Sequence, residues 1–211
     1  QTHPHFSCYC DFELFTSYHW VDLLIQQPTL IDYYSPSTPL TPDDWERLIC
    51  NHSVLAEYCY NFEQLSANGL CSILTYNPNI ATRLPSGFII EQPTGPEYVI
   101  DLLSNQSHLK YLFDPNEWND TFFIFTVLKS VPCLVDRYDH EYLTNLFNGD
   151  QWEILVKHHP QQFKDVSILE LLDEKHWTNL YTNTPCLRDF IHKNMDRYLM
   201  MRKLKHEQTN D

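Results

Sequence analysis

Eleven histidines and seven cysteines supply the side chains best suited to metal ligation, proton transfer or nucleophilic attack. The densest set is His3-Pro-His5-Phe-Ser-Cys8-Tyr-Cys10, with four borderline-soft ligands within eight residues. Ligands crowded this closely rarely close a structural tetrahedron, so a terminus without metal is the reading. His140-Glu141, Asp139, His158-His159 and His176 could form an acid–base or metal cluster, but no pair shows the i, i+4 spacing with a carboxylate base of H-E-x-x-H. Cys133 and Cys186 each follow a proline at an expected helix start, where the positive helix end would favour a thiolate; packing is the preferred role for both. The seven cysteines are odd in number and contain no C-x-x-C, so neither a disulfide framework nor a zinc ribbon is indicated. No G-x-S-x-G, kinase set or EF-hand loop occurs, and four glycines leave no phosphate-cradling loop. The chain reads as non-catalytic, with no cofactor. The rival is a helical-repeat enzyme centred on His140, His158 or His159.

Charge narrows the partners. The formal net charge of −14 repels phosphate, which disfavours nucleic acid and anionic membranes and suits a basic protein or peptide. Between Arg188 and His206 the sign reverses, with six basic residues against Asp189 and Asp196, as in a basic closing helix laid along an acidic body. No run near eighteen apolar residues is present, so no membrane span is expected. Three N-x-S/T triplets begin at Asn51, Asn105 and Asn119, about the number that chance yields. The chain starts with Gln1 and shows no signal peptide, as a processed chain or a piece of a longer one would. Compartment is not readable.

The elements that must position these residues follow one pattern, W-x-x-L-L-x-x-x-P-x-L. Its anchors are Trp20, Trp45, Leu70, Val99, Ile124, Trp152 and Trp177, spaced by 25, 25, 29, 25, 28 and 25 residues. Three residues past each anchor stands an aliphatic side chain, and one residue further another, with Tyr181 the exception. Anchor, +3 and +4 share one face of a helix. Four before the anchors come Thr16, Thr41, Ser66, Gly95, Asp120, Asn148 and Asp173, six of them good N-caps. At +8 stand Pro28, Ser53, Pro78, Ser107, Pro132, Pro160 and Pro185. Proline there would break the first helix but fits the first turn of a second one, about six or seven residues long, with +10 pointing inward. At +10 only Gln162 is polar, and Phe163 beside it can take its place. Helices this short cannot bury their stripe alone, so neighbouring units must stack.

These units resemble the tryptophan- and leucine-rich tandem repeats of the form D-W-x-x-L-L-x-x-x-P-x-L-A-x-x-C that form long arrays in some bacterial proteins. Asp44-Trp45-Glu46-Arg47-Leu48-Ile49 followed by Val54-Leu55-Ala56-Glu57-Tyr58-Cys59 is the best match, with Ser53 in place of the proline. The resemblance covers roughly residues 11–190 and implies architecture; it brings no catalytic residues.

The expected fold is therefore an all-α, right-handed-type α-solenoid of about seven helix pairs with a C-terminal closing helix. Residues 1–10 form an extension, 11–84 carry units one to three, 85–190 carry units four to seven after an enlarged loop, and 191–211 form a basic cap and tail. The unpacked helix positions make a candidate binding surface: Asp22, Gln26, Arg47, Asn51, Tyr76, Asp101, Asn105, Lys129, Glu153, Lys157, His158, Asn179 and Asn183. The expected function is a scaffold or recognition module for a basic partner. An immunity- or inhibitor-type protein that neutralises a cationic toxin or nuclease is the alternative.

Overall fold

Good N-caps, a buried three-residue stripe and a proline stop produce helices of uniform length. The computed structural model describes residues 14–34, 39–163 and 171–192, with His140 described by its backbone alone. Its α-helices are α1 (Ser17–Gln26), α2 (Pro42–Asn51), α3 (Ala67–Tyr76), α4 (Pro96–Asn105), α5 (Thr121–Ser130), α6 (His140–Leu146), α7 (Gly149–His158) and α8 (Glu174–Asn183). Every one except α6 has ten residues, and its fourth residue is the anchor. Five of the six expected caps accept from the first turn: Thr41 from the Asp44 N–H, Ser66 from Gly69, Asp120 from Phe122 and Phe123, Asn148 from Gln151, and Asp173 from His176; the Thr16 hydroxyl instead lies 2.8 Å from the His19 ring Nδ1. Such a cap contributes about 1 kcal/mol.

The exits are equally uniform. Seven residues past each anchor, a backbone N–H donates to the +3 carbonyl at 2.7–2.9 Å, and that residue leaves the helix with φ between −140° and −127°. Its own carbonyl then accepts from the +10 N–H, and the chain continues as a 3₁₀-helix rather than an α-helix. The 3₁₀ segments are Pro28–Tyr33, Ser53–Tyr58, Pro78–Arg83, Ser107–Leu112 and Pro132–Arg137, with a shorter Pro185–Leu187 and a turn after Pro160. Six residues closed by i→i+3 bonds at both ends satisfy their backbone within the segment, so no α-turn is needed.

Among the described residues the chain is all-α, with one isolated bridge between Ile90 and Phe113 and no strand. Among the described residues no helix is long and apolar enough to cross a membrane. The chain divides into two compact units, residues 1–113 and 114–211.

In the first unit α1 packs on α2, α2 on α3 and α3 on α4, and each also packs on the 3₁₀ segment that follows it. Side chains tie successive pairs together. The His52 Nε2 lies 2.7 Å from the Ile25 carbonyl, Tyr58 donates to Asp32 at 3.2 Å, and Arg83 donates to the carbonyls of Ala56 and Cys59. The enlarged loop before α4, residues 84–95, lies inside this compact unit. A turn with Gly87 at φ +78° reverses it, and the Ile90 N–H then donates to the Leu112 carbonyl at 2.7 Å; Ile90 and Phe113 are buried.

Within the second unit α5 packs on α7 and α7 on α8. His159 repeats the His52 tie, with Nε2 2.6 Å from the Lys129 carbonyl. A carbonyl only accepts, so both rings carry their hydrogen on Nε2. Trp152 is fully buried, edge-on to Phe147 at 5.3 Å and to Phe163 at 6.0 Å. Phe163 is buried and Gln162 exposed, so the neighbour does fill the +10 role. Residues 188–192 are helical and Ile191 is buried; the rest of the expected closing helix, like the 1–10 extension with His3, His5, Cys8 and Cys10, lies outside the described residues.

The anchor, +3, +4 and +10 residues are buried with few exceptions. Leu23, Leu30 and Trp45 are only half-buried, Tyr181 is 46% exposed, and Gln162 is replaced as noted. Trp45 corrects the expectation that every anchor aromatic fills a closed gap.

Candidate functional site

Trp45 is half-buried because a cleft opens beside it. Just before α2, Pro39 and Leu40 are non-helical and Thr41 is extended, and Pro39, Leu40 and Pro42 line one side of the space next to the anchor. The cleft has a volume of about 520 Å³. Its floor is Ile31, Leu40, Cys59 and Leu65, all buried; its aromatic walls are Tyr34, Trp45, Tyr58 and Tyr60; Asn61 and Gln64 add polar groups. Sites for small ligands span about 300–1,000 Å³ with this apolar-plus-few-polar lining.

The walls are held in place. Tyr34 meets Trp20 and Trp45 edge-on at 5.5 and 6.5 Å, and its hydroxyl accepts the Leu40 N–H at 2.7 Å. Burial pushes the Tyr34 phenol up, the Leu40 N–H offsets part of that, and the Asp44 charge adds to it. Donation to Asp32 raises the Tyr58 phenol, with further pressure from the Asp32 and Glu57 charges. Both phenols therefore stay protonated at neutral pH. Tyr60, by contrast, is 83% exposed at the lip.

Among the described lining residues the one thiol is not built for covalent attack. Burial raises the Cys59 thiol, against smaller opposing effects from the Asn61 backbone N–H and the Arg83 charge, so it remains an un-ionised, poorly nucleophilic group. What the cleft offers is a set of π-faces in an acidic stretch of chain, with Asp32 bonded to Tyr58 and the Asp44 charge acting on Tyr34. Residues 31–65 hold six acids (Asp32, Asp43, Asp44, Glu46, Glu57 and Glu63) against one base, Arg47.

The thirteen surface residues singled out from the sequence are all accessible. Asp22, Glu153 and Asn179 are half-buried and the other ten exposed. Several join across helices: Arg47 pairs with Asp22 at 3.4 Å and Asn179 donates to Glu153 at 3.4 Å. Asn51 and Asn105 turn back onto their own helices, donating to the carbonyls of Arg47 and Asp101 at 2.8 Å. Gln26, Tyr76, Lys129, Lys157, His158 and Asn183 complete the set on α1, α3, α5, α7 and α8. None of the thirteen lines the cleft.

Among the described residues, His158, His159 and His176 are taken up separately. His158 bonds the Ile154 carbonyl through Nδ1 at 2.8 Å, and His159 is taken up by Lys129. His176, buried, sits between Asp150 at 3.0 Å and Asp173 at 2.7 Å, which fastens α7 to the start of α8. Among the described residues no group of three or more His, Cys, Asp or Glu side chains is placed to hold a metal. Cys133 is half-buried and Cys186 exposed, which corrects the buried role expected of them; each follows the proline of a 3₁₀ segment lying at the surface.

Reading the sequence missed Tyr34, Tyr58 and Tyr60 and cast Trp45 as core. The signal available was the cluster Pro36, Pro39 and Pro42 just before an anchor, with Tyr58-Cys59-Tyr60 following the same helix. Comparison with known proteins gives no further guide: no family model, no curated protein and no solved structure matches the chain.

Proposed function

We propose that the seven ten-residue helices and their 3₁₀ partners are tandem units of an α-solenoid, of the tryptophan/leucine-rich kind, acting as a non-catalytic recognition module for a basic protein or peptide. The observation that carries this reading is the contrast between packed and outward positions. The +4 residues Leu24, Ile49, Leu74, Leu103, Leu128 and Val156 are buried and interchangeable in chemistry. The +6 residues Gln26, Asn51, Tyr76, Asn105, Ser130, His158 and Asn183 are exposed in all seven helices and differ from one helix to the next. A scaffold that keeps its interior and varies its exterior presents a modular surface. Packing between successive helices within each compact unit supports the same reading. The net charge of −14 supports a basic partner.

The test is capture on the immobilised chain at about 0.1 M and about 1 M salt, where the screening length falls from about 10 Å to about 3 Å. Basic proteins retained at low salt and released at high salt are the expected result, identified by mass spectrometry. Retention that ignores salt, or that selects acidic proteins, would overturn the charge argument.

A further inference from the structure

We propose that the cleft beside Trp45 receives an arginine side chain of the basic partner, stacked on the indole between Tyr58 and Tyr60. This assignment rests on the recognition-module reading and adds to it the point of attachment. Three observations converge. The cleft is open beside a tryptophan that the packing pattern would otherwise bury; Tyr34 and Tyr58 are held by hydrogen bonds from Leu40 and to Asp32, and Tyr60 stands exposed at the lip. A guanidinium is planar and weakly hydrated, and it stacks on such faces while its methylene stem lies on apolar groups of the Leu40 and Leu65 kind. The surrounding charge is of the complementary sign: Asp44 acts on Tyr34, Asp32 and Glu57 on Tyr58, and Glu63 on Cys59. Among the described residues none of Asp32, Asp44, Glu57 and Glu63 forms an ion pair.

The nearby cation Arg83 does not occupy the site. Its guanidinium donates to the Ala56 and Cys59 carbonyls and stands 4.9 Å from the Phe62 ring centroid, and neither Arg83 nor Phe62 lines the cleft. Its presence shows that this fold already seats a guanidinium against an aromatic face and carbonyl oxygens. An anionic or phosphorylated ligand is disfavoured by the carboxylates, and a purely apolar one would leave Asn61 and Gln64 without function.

The probe is a fluorescein-labelled Gly/Ser peptide carrying three arginines, titrated into the full chain and read by anisotropy. The same peptide with citrulline, a neutral isostere, is the control. Saturable binding is expected, weakened at least about tenfold by citrulline and about three- to tenfold by Tyr60→Ala or Glu57→Gln. Both positions are exposed, so unfolding midpoints should not move. The indole N–H resonance of Trp45, assigned through Trp45→Phe, should shift as the peptide is added.

No binding of the arginine peptide overturns the proposal, as does equal binding of the citrulline peptide. Binding that survives Tyr60→Ala and Glu57→Gln but falls in Asp101→Asn also overturns it, and leaves the recognition module standing with its site on α4. A concentration-dependent dimer abolished by Tyr60→Ala would assign the cleft to a second copy of the chain instead. Salt-sensitive capture of basic proteins in the absence of peptide binding separates failure of the cleft from failure of the module.

Discussion

Replacing the anchor tryptophans one at a time distinguishes closed from open anchor sites. Trp152 is fully buried and meets two aromatic rings edge-on, so Trp152→Ala removes a large apolar volume from a place that cannot collapse around it. Such a change costs about 3–5 kcal/mol, and the lost ring pairs place it toward the upper end. Trp45 stands at the same register in α2 but borders the cleft and is half-buried. About half of the burial term is then at stake, and Trp45→Ala should cost about 2 kcal/mol. For a chain of this size each kcal/mol lowers Tm by about 2–4 °C, so falls of about 10 °C or more and about 6 °C are expected. Urea unfolding followed by circular dichroism gives the free energies directly, provided the m-value is unchanged. Trp152→Phe, which keeps a ring in the site, should recover more than half of the loss. Equal costs for the two alanine variants, or a cost below about 1 kcal/mol for Trp152→Ala, would refute the assignment of Trp152 to a closed site and Trp45 to an open one.

Three further measurements probe other parts of the fold. His52→Ala and His159→Ala each remove the same tie to a carbonyl of the preceding helix, so both should lose about 1–2 kcal/mol in urea unfolding; a large disparity would show that the two ties are not equivalent. The backbone N–H of His176, donating to Asp173 and reinforced by the imidazole, holds that carboxyl below the usual carboxylate range. A depressed folded-state value means stability present above about pH 4 and lost as pH falls below it, so Asp173→Asn should flatten the decline in urea midpoint between about pH 5 and pH 3. Burial pushes the Cys71 thiol up to about 12, and Cys59 is buried with its thiol also raised, whereas Cys186 is exposed. Iodoacetamide at about pH 8 should label Cys186 in the native protein and reach Cys59 and Cys71 only after unfolding, as read by peptide mass spectrometry; early labelling of Cys71 would contradict its enclosure.

Local physics wrote much of this molecule into the sequence. Cap, apolar stripe and proline lie within one short stretch, as from Thr16 to Pro28, and their register alone locates the ten-residue α-helices, their first residues and their buried faces. The inward place of Phe163 beside Gln162 was legible for the same reason. Less local features were not. The 3₁₀ character of the second segments depends on how the +7 carbonyl is used, and α6, Phe62–Gln64 and Pro115–Glu117 fill stretches with no repeating pattern. The enlarged loop before α4 was legible in its prolines and glycines, but the long-range bond from Ile90 to Leu112 that ties it down was not.

The candidate site shows the division most sharply. That residues 31–65 are acidic and rich in aromatic side chains is composition, visible in the chain itself. That Trp45 faces an opening while Trp20 and Trp152 are sealed could not be read from an identical position in an identical helix. Burial is a property of what arrives from elsewhere: Pro39 and Leu40 crossing from one side, Tyr58 and Tyr60 from the next turn of chain, and space left between them. Helix formation is decided within a few residues, but a cleft exists only where separate segments fail to meet, and only the tertiary structure settles where that happens.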